Sequence, residues 1–348
     1  MFNSLLNQSH FIREISLSDF NPDLLKAKKP FIIKSSEKLT EGLTPQIIAN
    51  IYGQKIVQVG VFDQSVDKNF PTEQLQMHLS EAVDIFIANR KNSYKYYLMQ
   101  EEIATEFPKL LNYMEPYQAL VRQFDLFSHL WFGEAGTLSP LHFDAFNNLF
   151  YQAYGKKLFI LFPPSDTPFL YPQQNSKRFN FSSIDDLEKV DVERFPLAVN
   201  AKPYQVIVDT HDILYLPSGW WHYVYSMDLS ISISGWWKPS MHEVDLSQLF
   251  RLKAWECYEN DTVSKMLNFV DFGKPNNMLE LAQHLTASGN YWLAIIFAIQ
   301  HLKNVGQAVN QLPNPWQTLL SLAKKEDNTL LIKEEVIGLL NYIAKHSE

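Results

Sequence analysis

Phe132-Gly-Glu-Ala-Gly-Thr-Leu-Ser-Pro-Leu-His142-Phe-Asp144 is the stretch on which the reading of this chain turns. Side chains two apart on a β-strand point to the same side, so a strand here puts the His142 imidazole and the Asp144 carboxylate on one face. Two His and one carboxylate on one face of an octahedron leave three positions open, an arrangement suited to non-haem Fe(II) oxygen chemistry. The third ligand has to come from another strand, and His222 is the candidate. It follows Asp212-Ile-Leu-Tyr-Leu-Pro-Ser-Gly-Trp-Trp221, an apolar strand and a Pro/Gly turn, and stands at the start of the next strand. The 80 positions between His142 and His222 let distant strands meet in a barrel. A His and an Asp two apart are commonplace as unrelated surface residues, and His222 alone fits a core histidine among aromatics. The joint pattern carries the argument.

From about residue 128 to residue 238 the chain reads as β. The expected strands are Ser128–Phe132, Asn148–Tyr154, Lys157–Phe162, Tyr204–Val208, Asp212–Leu216 and Leu229–Trp237. Short strands around Gly and Pro turns predict a sandwich or jelly roll. Ser165 to Pro203 is a long polar insertion, with a helix expected at Ser183–Lys189, of the kind that builds the rim of a site. Upstream, Pro30–Lys34 and Lys55–Phe62 read as strands, and Thr44–Ile51 and Thr72–Ala88 as helices. Phe107–Phe127 is expected to hold a short helix and a connection. After Met241 the apolar spacing turns helical, at Val244–Tyr258, Thr262–Phe269, Met278–Ala287, Tyr291–Leu302, Pro315–Lys325 and Leu331–His346. The stripes of these helices must bury against the β domain or a second copy of the chain, which makes them a candidate dimerisation element.

The segments Gly136-Thr-Leu-Ser-Pro-Leu-His-Phe-Asp144, Asn148, Gly155-Lys-Lys-Leu-Phe-Ile-Leu-Phe-Pro-Pro164, Asp212 to His222 and Ser232-Ile-Ser-Gly-Trp-Trp237 follow one another in a familiar order and spacing. They resemble the JmjC family of cupin-type Fe(II)- and 2-oxoglutarate-dependent oxygenases. The likeness is closest to its small side-chain hydroxylases, such as the asparaginyl hydroxylase of hypoxia-inducible factor. It covers roughly residues 95–238. It implies a mainly β fold, a double-stranded β-helix of the jelly-roll or cupin type, with flanking N-terminal α/β elements and a helical C-terminal region. The expected domains are 1–240, with the jelly-roll core at about 125–240, and 241–348.

The resemblance also implies site roles. Iron would sit on His142, Asp144 and His222. The far carboxylate of 2-oxoglutarate would pair with Lys157, Tyr97 and Ser139, while Asn148 matches an amide near the iron-binding end and Ser234 a polar position on the last strand. Periodicity alone leaves Lys156 and Lys157 open, because Gly155 interrupts the strand; the resemblance picks Lys157. Tyr94 and Tyr96 compete with Tyr97. For Asn148 and Ser234, bonding to local backbone is nearly as good a reading. His211 stands where the family often has Gly, and is expected to be exposed at a turn with no metal role. Ala145-Phe-Asn147 replaces the glutamines with which the hypoxia-factor enzyme holds its peptide, so that substrate does not carry over.

The resemblance implies oxidation of a substrate C–H bond coupled to decarboxylation of 2-oxoglutarate. A protein or peptide side chain is the expected substrate. N-methyl-lysine demethylation ranks second, because no Cys/His zinc module accompanies the core; hydroxylation of RNA or a small molecule uses the same chemistry. A catalytically silent cupin that only binds is the reading from another class, and the intact triad with Lys157 argues against it. The formal charge of -8 and the lack of a Lys/Arg run disfavour nucleic acid. A single cysteine, Cys257, excludes an intrachain disulfide and a Cys-based zinc site. The first residues lack the pattern of a secretory signal, and the strongest apolar run, Tyr291 to Ile299, is too short for a bilayer, so a reducing cytoplasm is expected.

Overall fold

The computed structural model describes residues 9–34, 42–88, 93–121, 124, 126–144, 146–173, 180–237, 279, 282–283, 286, 291–306, 312–313, 315–317, 319 and 333–346. Two compact units divide the chain, Met1–Lys238 and Pro239–Glu348.

The first unit is built on fourteen strands among the described residues: β1 (His10–Phe11), β2 (Arg13–Ser16), β3 (Phe31–Lys34), β4 (Ile56–Asp63), β5 (Glu73–His78), β6 (Tyr94–Glu102), β7 (Phe127–Gly133), β8 (Leu138–Phe143), β9 (Asn147–Tyr154), β10 (Lys157–Phe162), β11 (Tyr204–Val208), β12 (Ile213–Leu216), β13 (Trp221–Ser226) and β14 (Ser230–Trp237). They form a five-stranded sheet in the order β1-β11-β10-β13-β8 and a nine-stranded sheet in the order β2-β3-β12-β9-β14-β7-β6-β4-β5. In the core, strands distant in sequence pair and run antiparallel, as a jelly roll requires. The fold is mainly β and cupin-like.

The period-2 geometry of a strand explains the core. Ile32, Phe150, Leu214 and Leu216 of the nine-stranded sheet pack with Phe159, Leu161, Val206 and Val224 of the five-stranded sheet. Their sequence neighbours Phe31, Ile33, Leu149, Tyr151, Ile213 and Tyr215 point the other way. They join a second cluster with helices α1 (Pro45–Tyr52) and α2 (Leu79–Ala88). The nine-stranded sheet is therefore covered on both faces, which is why β9 reads as seven consecutive buried residues rather than as an alternation. At full burial each large apolar side chain there contributes about 1.5–3 kcal/mol. Two further helices, α3 (Ile103–Glu106) and α4 (Glu115–Val121), precede β7.

One expected helix is formed only over its second half, and another is not formed. Thr72–Ala88 is split into strand β5 and helix α2. Glu73–His78 pairs antiparallel with β4 because β4 offers it a free edge, and hydrogen bonding along that edge outweighs the helical spacing of Leu75 and Leu79. Ser183–Lys189 is a run of bends and turns. Ile184 and Leu187 are buried there, and the Asp186 carboxylate accepts the Glu188 N–H and pairs with Lys68, which fixes a turn in place of a helix. His211 is half-buried rather than exposed, at a positive φ of 74°, with a ring nitrogen 3.0 Å from the Tyr151 hydroxyl.

In the second unit the described helices are α5 (Tyr291–Asn304) and α6 (Lys333–His346), which cover two of the expected stretches. Val244–Tyr258 and Thr262–Phe269 lie outside the described residues, as do most of Met278–Ala287 and Pro315–Lys325. Among the described residues no helix is long and apolar enough to cross a membrane.

Candidate metal centre and co-substrate pocket

β8 and β13 are antiparallel neighbours in a register that sets His142 directly opposite His222. Asp144 follows the end of β8, where its carbonyl accepts the Gly219 N–H from the turn leading into β13. The imidazole rings stand 4.1 Å apart between centroids. The Asp144 carboxylate lies 3.9 Å from His142 Nε2 and 3.8 Å from His222 Nε2. These separations are too wide for hydrogen bonds and suit one ion lying between the groups. One ligand atom from each residue lies within 4.8 Å of the others.

The other ring nitrogens bond to backbone carbonyls. His142 Nδ1 lies 2.6 Å from the Pro140 carbonyl, and His222 Nδ1 lies 3.0 Å from the Trp220 carbonyl. A carbonyl only accepts, so each Nδ1 carries hydrogen, and Nε2 is the nitrogen left on the Asp144 side of each ring. Burial, with His142 alongside, pushes the His222 pKa down to about 4, which keeps that imidazole neutral as a metal ligand must be. Two imidazoles and one carboxylate make a donor set that fits a divalent cation, Fe(II) included.

A cavity of about 310 Å³ opens beside the triad. Lys157, Tyr97, Ser139, Asn148 and Ser234 all lie on its wall. Lys157 is buried, donates to the Tyr97 hydroxyl at 2.9 Å, and lies over the Tyr97 and Phe150 rings. Burial pushes its pKa down to about 7. Among the described residues no carboxylate pairs with it. A buried ammonium is costly unless an anion joins it, so the site fits a ligand carboxylate. Lys156 sits outside β10 and pairs with Asp209 at 2.9 Å. Gly155, at φ 73°, makes the turn that separates the two lysines. Of the three tyrosines, Tyr94 is exposed and Tyr96 packs against the outer core cluster.

Asn148 and Ser234 are buried. The Asn148 Oδ1 has no hydrogen-bond partner, and Ser234 accepts the Trp131 Nε1–H at 3.1 Å. Trp236 stands opposite Asn148 in the β9–β14 register, and its Nε1 is also unpartnered. Sequence reasoning did not single out Trp131, Gln100, Asn180 or Phe181 for this wall. Trp131 is separated from Gly133 by one position on β7, a spacing visible in sequence. Gln100 takes an unusual φ of 59° in an irregular part of β6, and Asn180 and Phe181 come from the insertion. Nothing local in the sequence marks those three.

Comparison with known proteins places these observations. Residues 18–243 match the cupin-like domain family. The chain is 29% identical over 231 residues to a zebrafish (Danio rerio) protein named lysine-specific demethylase 8, covering 64% of this chain and 56% of that protein. It is 44% identical over 108 residues to Jumonji C domain-containing protein 5 of Drosophila melanogaster, 31% of this chain and 27% of that one. HSPB1-associated protein 1 of Homo sapiens is 40% identical over 113 residues, with coverages of 31% and 23%. The chain thus spans about half the length, or less, of these relatives.

Proposed function

The chain belongs to the cupin-like family in its JmjC form, whose members use Fe(II) and 2-oxoglutarate, and from that premise we propose that it is a dioxygenase that hydroxylates a protein or peptide side chain. The observation that carries this reading is the pairing of a two-His, one-carboxylate set with a buried lysine that has no carboxylate partner among the described residues, across one cavity.

In this reading His142, Asp144 and His222 hold Fe(II), and Lys157, Tyr97 and Ser139 hold the far carboxylate of 2-oxoglutarate. Bound together, iron and 2-oxoglutarate supply an oxidant for unactivated C–H bonds. The protein's own residues do the rest. The Pro140 and Trp220 carbonyls hold a proton on each Nδ1 and orient both rings, so that Nε2 is the atom that would meet the metal. Tyr97 accepts the hydrogen bond that aims the Lys157 ammonium. Trp131 and Trp236, packed edge to face at 6.1 Å, wall the cavity and limit water. Asn148 Oδ1 and Trp236 Nε1 leave one acceptor and one donor for bound groups.

The test is anaerobic addition of Fe(II) and 2-oxoglutarate, for which a weak visible charge-transfer band is expected, followed by succinate release on admitting oxygen. No band and no succinate would favour a silent binding module. Substrate capture on the inactive metal-substituted protein, followed by turnover with the Fe(II) form and mass spectrometry for a gain of one oxygen atom, then assigns the product. Demethylation is the second reading, favoured by the name of the zebrafish relative. Formaldehyde release in place of retained oxygen would select it. A cytoplasmic location and a homodimer built on the C-terminal helices belong to the same proposal.

A further inference from the structure

We propose that Asn180–Ser182, the returning arm of the polar insertion, positions His142 for metal binding, with the Phe181 ring as the positioning group. The proposal rests on reading His142, Asp144 and His222 as metal ligands.

β8 is the outer strand of the five-stranded sheet and pairs in that sheet with β13 only. Its other edge would present unpaired N–H and C=O groups. The arm closes it at the ligand. Ser182 N–H donates to the Leu141 carbonyl at 2.8 Å, and Phe143 N–H donates to the Asn180 carbonyl at 3.0 Å. The Asn180 side chain adds a bond from Nδ2 to the Phe143 carbonyl at 2.9 Å. These bonds fall one residue on either side of His142, which itself pairs with Phe181 as an isolated antiparallel bridge.

The side chains follow the backbone. The Phe181 ring lies nearly parallel to the His142 ring, at 14° and 5.2 Å, while His222 approaches His142 from the neighbouring strand at 54°. His142 is thus held between a flat aromatic face and the second candidate ligand. It is also the more exposed of the two, with 16% of its side chain accessible against 6% for His222. A looser ring loses more rotamer freedom on binding a metal, so prior stacking favours binding.

The arm is anchored from a different part of the chain. Phe70 packs on Phe181 at 5.4 Å, Lys68 pairs with Asp186 at 2.7 Å, and the Asn69 amide donates to the Asp185 carbonyl. Ser182 Oγ donates to the Leu170 carbonyl, and Gln173 N–H to the Phe181 carbonyl. Together these contacts hold Phe181 against His142.

The experiment is Co(II) titration of the full chain, followed by visible ligand-field absorption and by calorimetry, with circular dichroism as the check of fold. Wild type is expected to bind one Co(II), and His142→Ala to lose it. Phe181→Leu, of similar apolar volume but without a flat face, is expected to bind on the order of tenfold more weakly with a displaced absorption band. Phe181→Tyr is expected to restore both. Wild-type affinity and spectrum in a folded Phe181→Leu would overturn the positioning role and leave the triad standing. No Co(II) uptake by wild type would overturn the triad reading, and the positioning role with it. Should Phe181→Leu fail to fold, Phe70→Leu removes the ring behind Phe181 without touching β8. Weaker binding there supports the proposal, and unchanged binding overturns it.

Discussion

Lys157→Met separates binding from stability in opposite directions. The lysine is buried and its pKa falls from 10.5 to about 7, by desolvation. In the unfolded chain it titrates near its ordinary value. Near pH 7 the unfolded state therefore binds more protons, and holding the amine in the fold costs roughly 4 kcal/mol at about 1.4 kcal/mol per pKa unit. Methionine fills similar space without a charge. It also leaves the Tyr97 hydroxyl without its partner, a cost of about 1–3 kcal/mol. The ligand-free variant should come out about 2 kcal/mol more stable, or roughly 4–8 °C in Tm for a unit of this size. The bound carboxylate would lose its counter-charge, worth about 3–5 kcal/mol, so 2-oxoglutarate affinity should fall on the order of a hundredfold or more. Differential scanning calorimetry without ligand reads the first effect, and anaerobic titration of the charge-transfer band reads the second. A variant that melts lower than wild type while binding 2-oxoglutarate normally would refute the assignment of Lys157 as a buried cation waiting for an anion.

The same lysine predicts a pH dependence. Its folded pKa is depressed, so above about pH 7 the free site is neutral and carboxylate binding must take up a proton. Affinity for 2-oxoglutarate should then drop by up to tenfold per pH unit above about pH 7, a trend that calorimetry in buffers of different ionisation enthalpy would contradict by showing no proton uptake. Metal binding should stabilise the first unit. Co(II) at a hundred times its Kd should add about 2.7 kcal/mol, and Asp144→Ala should abolish the Tm increase while a chelator reverses it in wild type. In Gly133→Ala the new Cβ would lie 2.5 Å from Tyr97 Cδ2 and 2.9 Å from the Tyr96 carbonyl oxygen. It should destabilise by about 1–3 kcal/mol in thermal melts and weaken 2-oxoglutarate binding by displacing Tyr97. Wild-type affinity in that variant would mean that Tyr97 does not aim Lys157.

Much of the jelly roll is legible because its strands are short apolar runs cut by Pro and Gly. β10 and β11 begin and end where the runs Lys157–Phe162 and Tyr204–Val208 do. Reading failed where two periods overlapped or where a distant partner set the outcome. Leu75 and Leu79 carry a helical spacing, but the open edge of β4 draws Glu73–His78 into a sheet. Ile184 and Leu187 are spaced as on a helix, but Lys68, 118 residues away from Asp186 in sequence, pins a turn.

The sequence by itself offered a candidate chemistry, which the likeness to the JmjC family drew together: a His and an Asp two apart, a second His after a Pro/Gly turn, and a lysine at the head of an apolar strand. Those are local facts, set by residue type and strand periodicity. Tertiary structure alone decided that the β8–β13 register faces His142 with His222, that Lys157 rather than Lys156 enters the cavity, and that an arm of the insertion seats Phe181 on the His142 ring. Each of these depends on pairing between strands far apart in the chain, and that pairing is fixed by how much apolar surface the whole assembly buries.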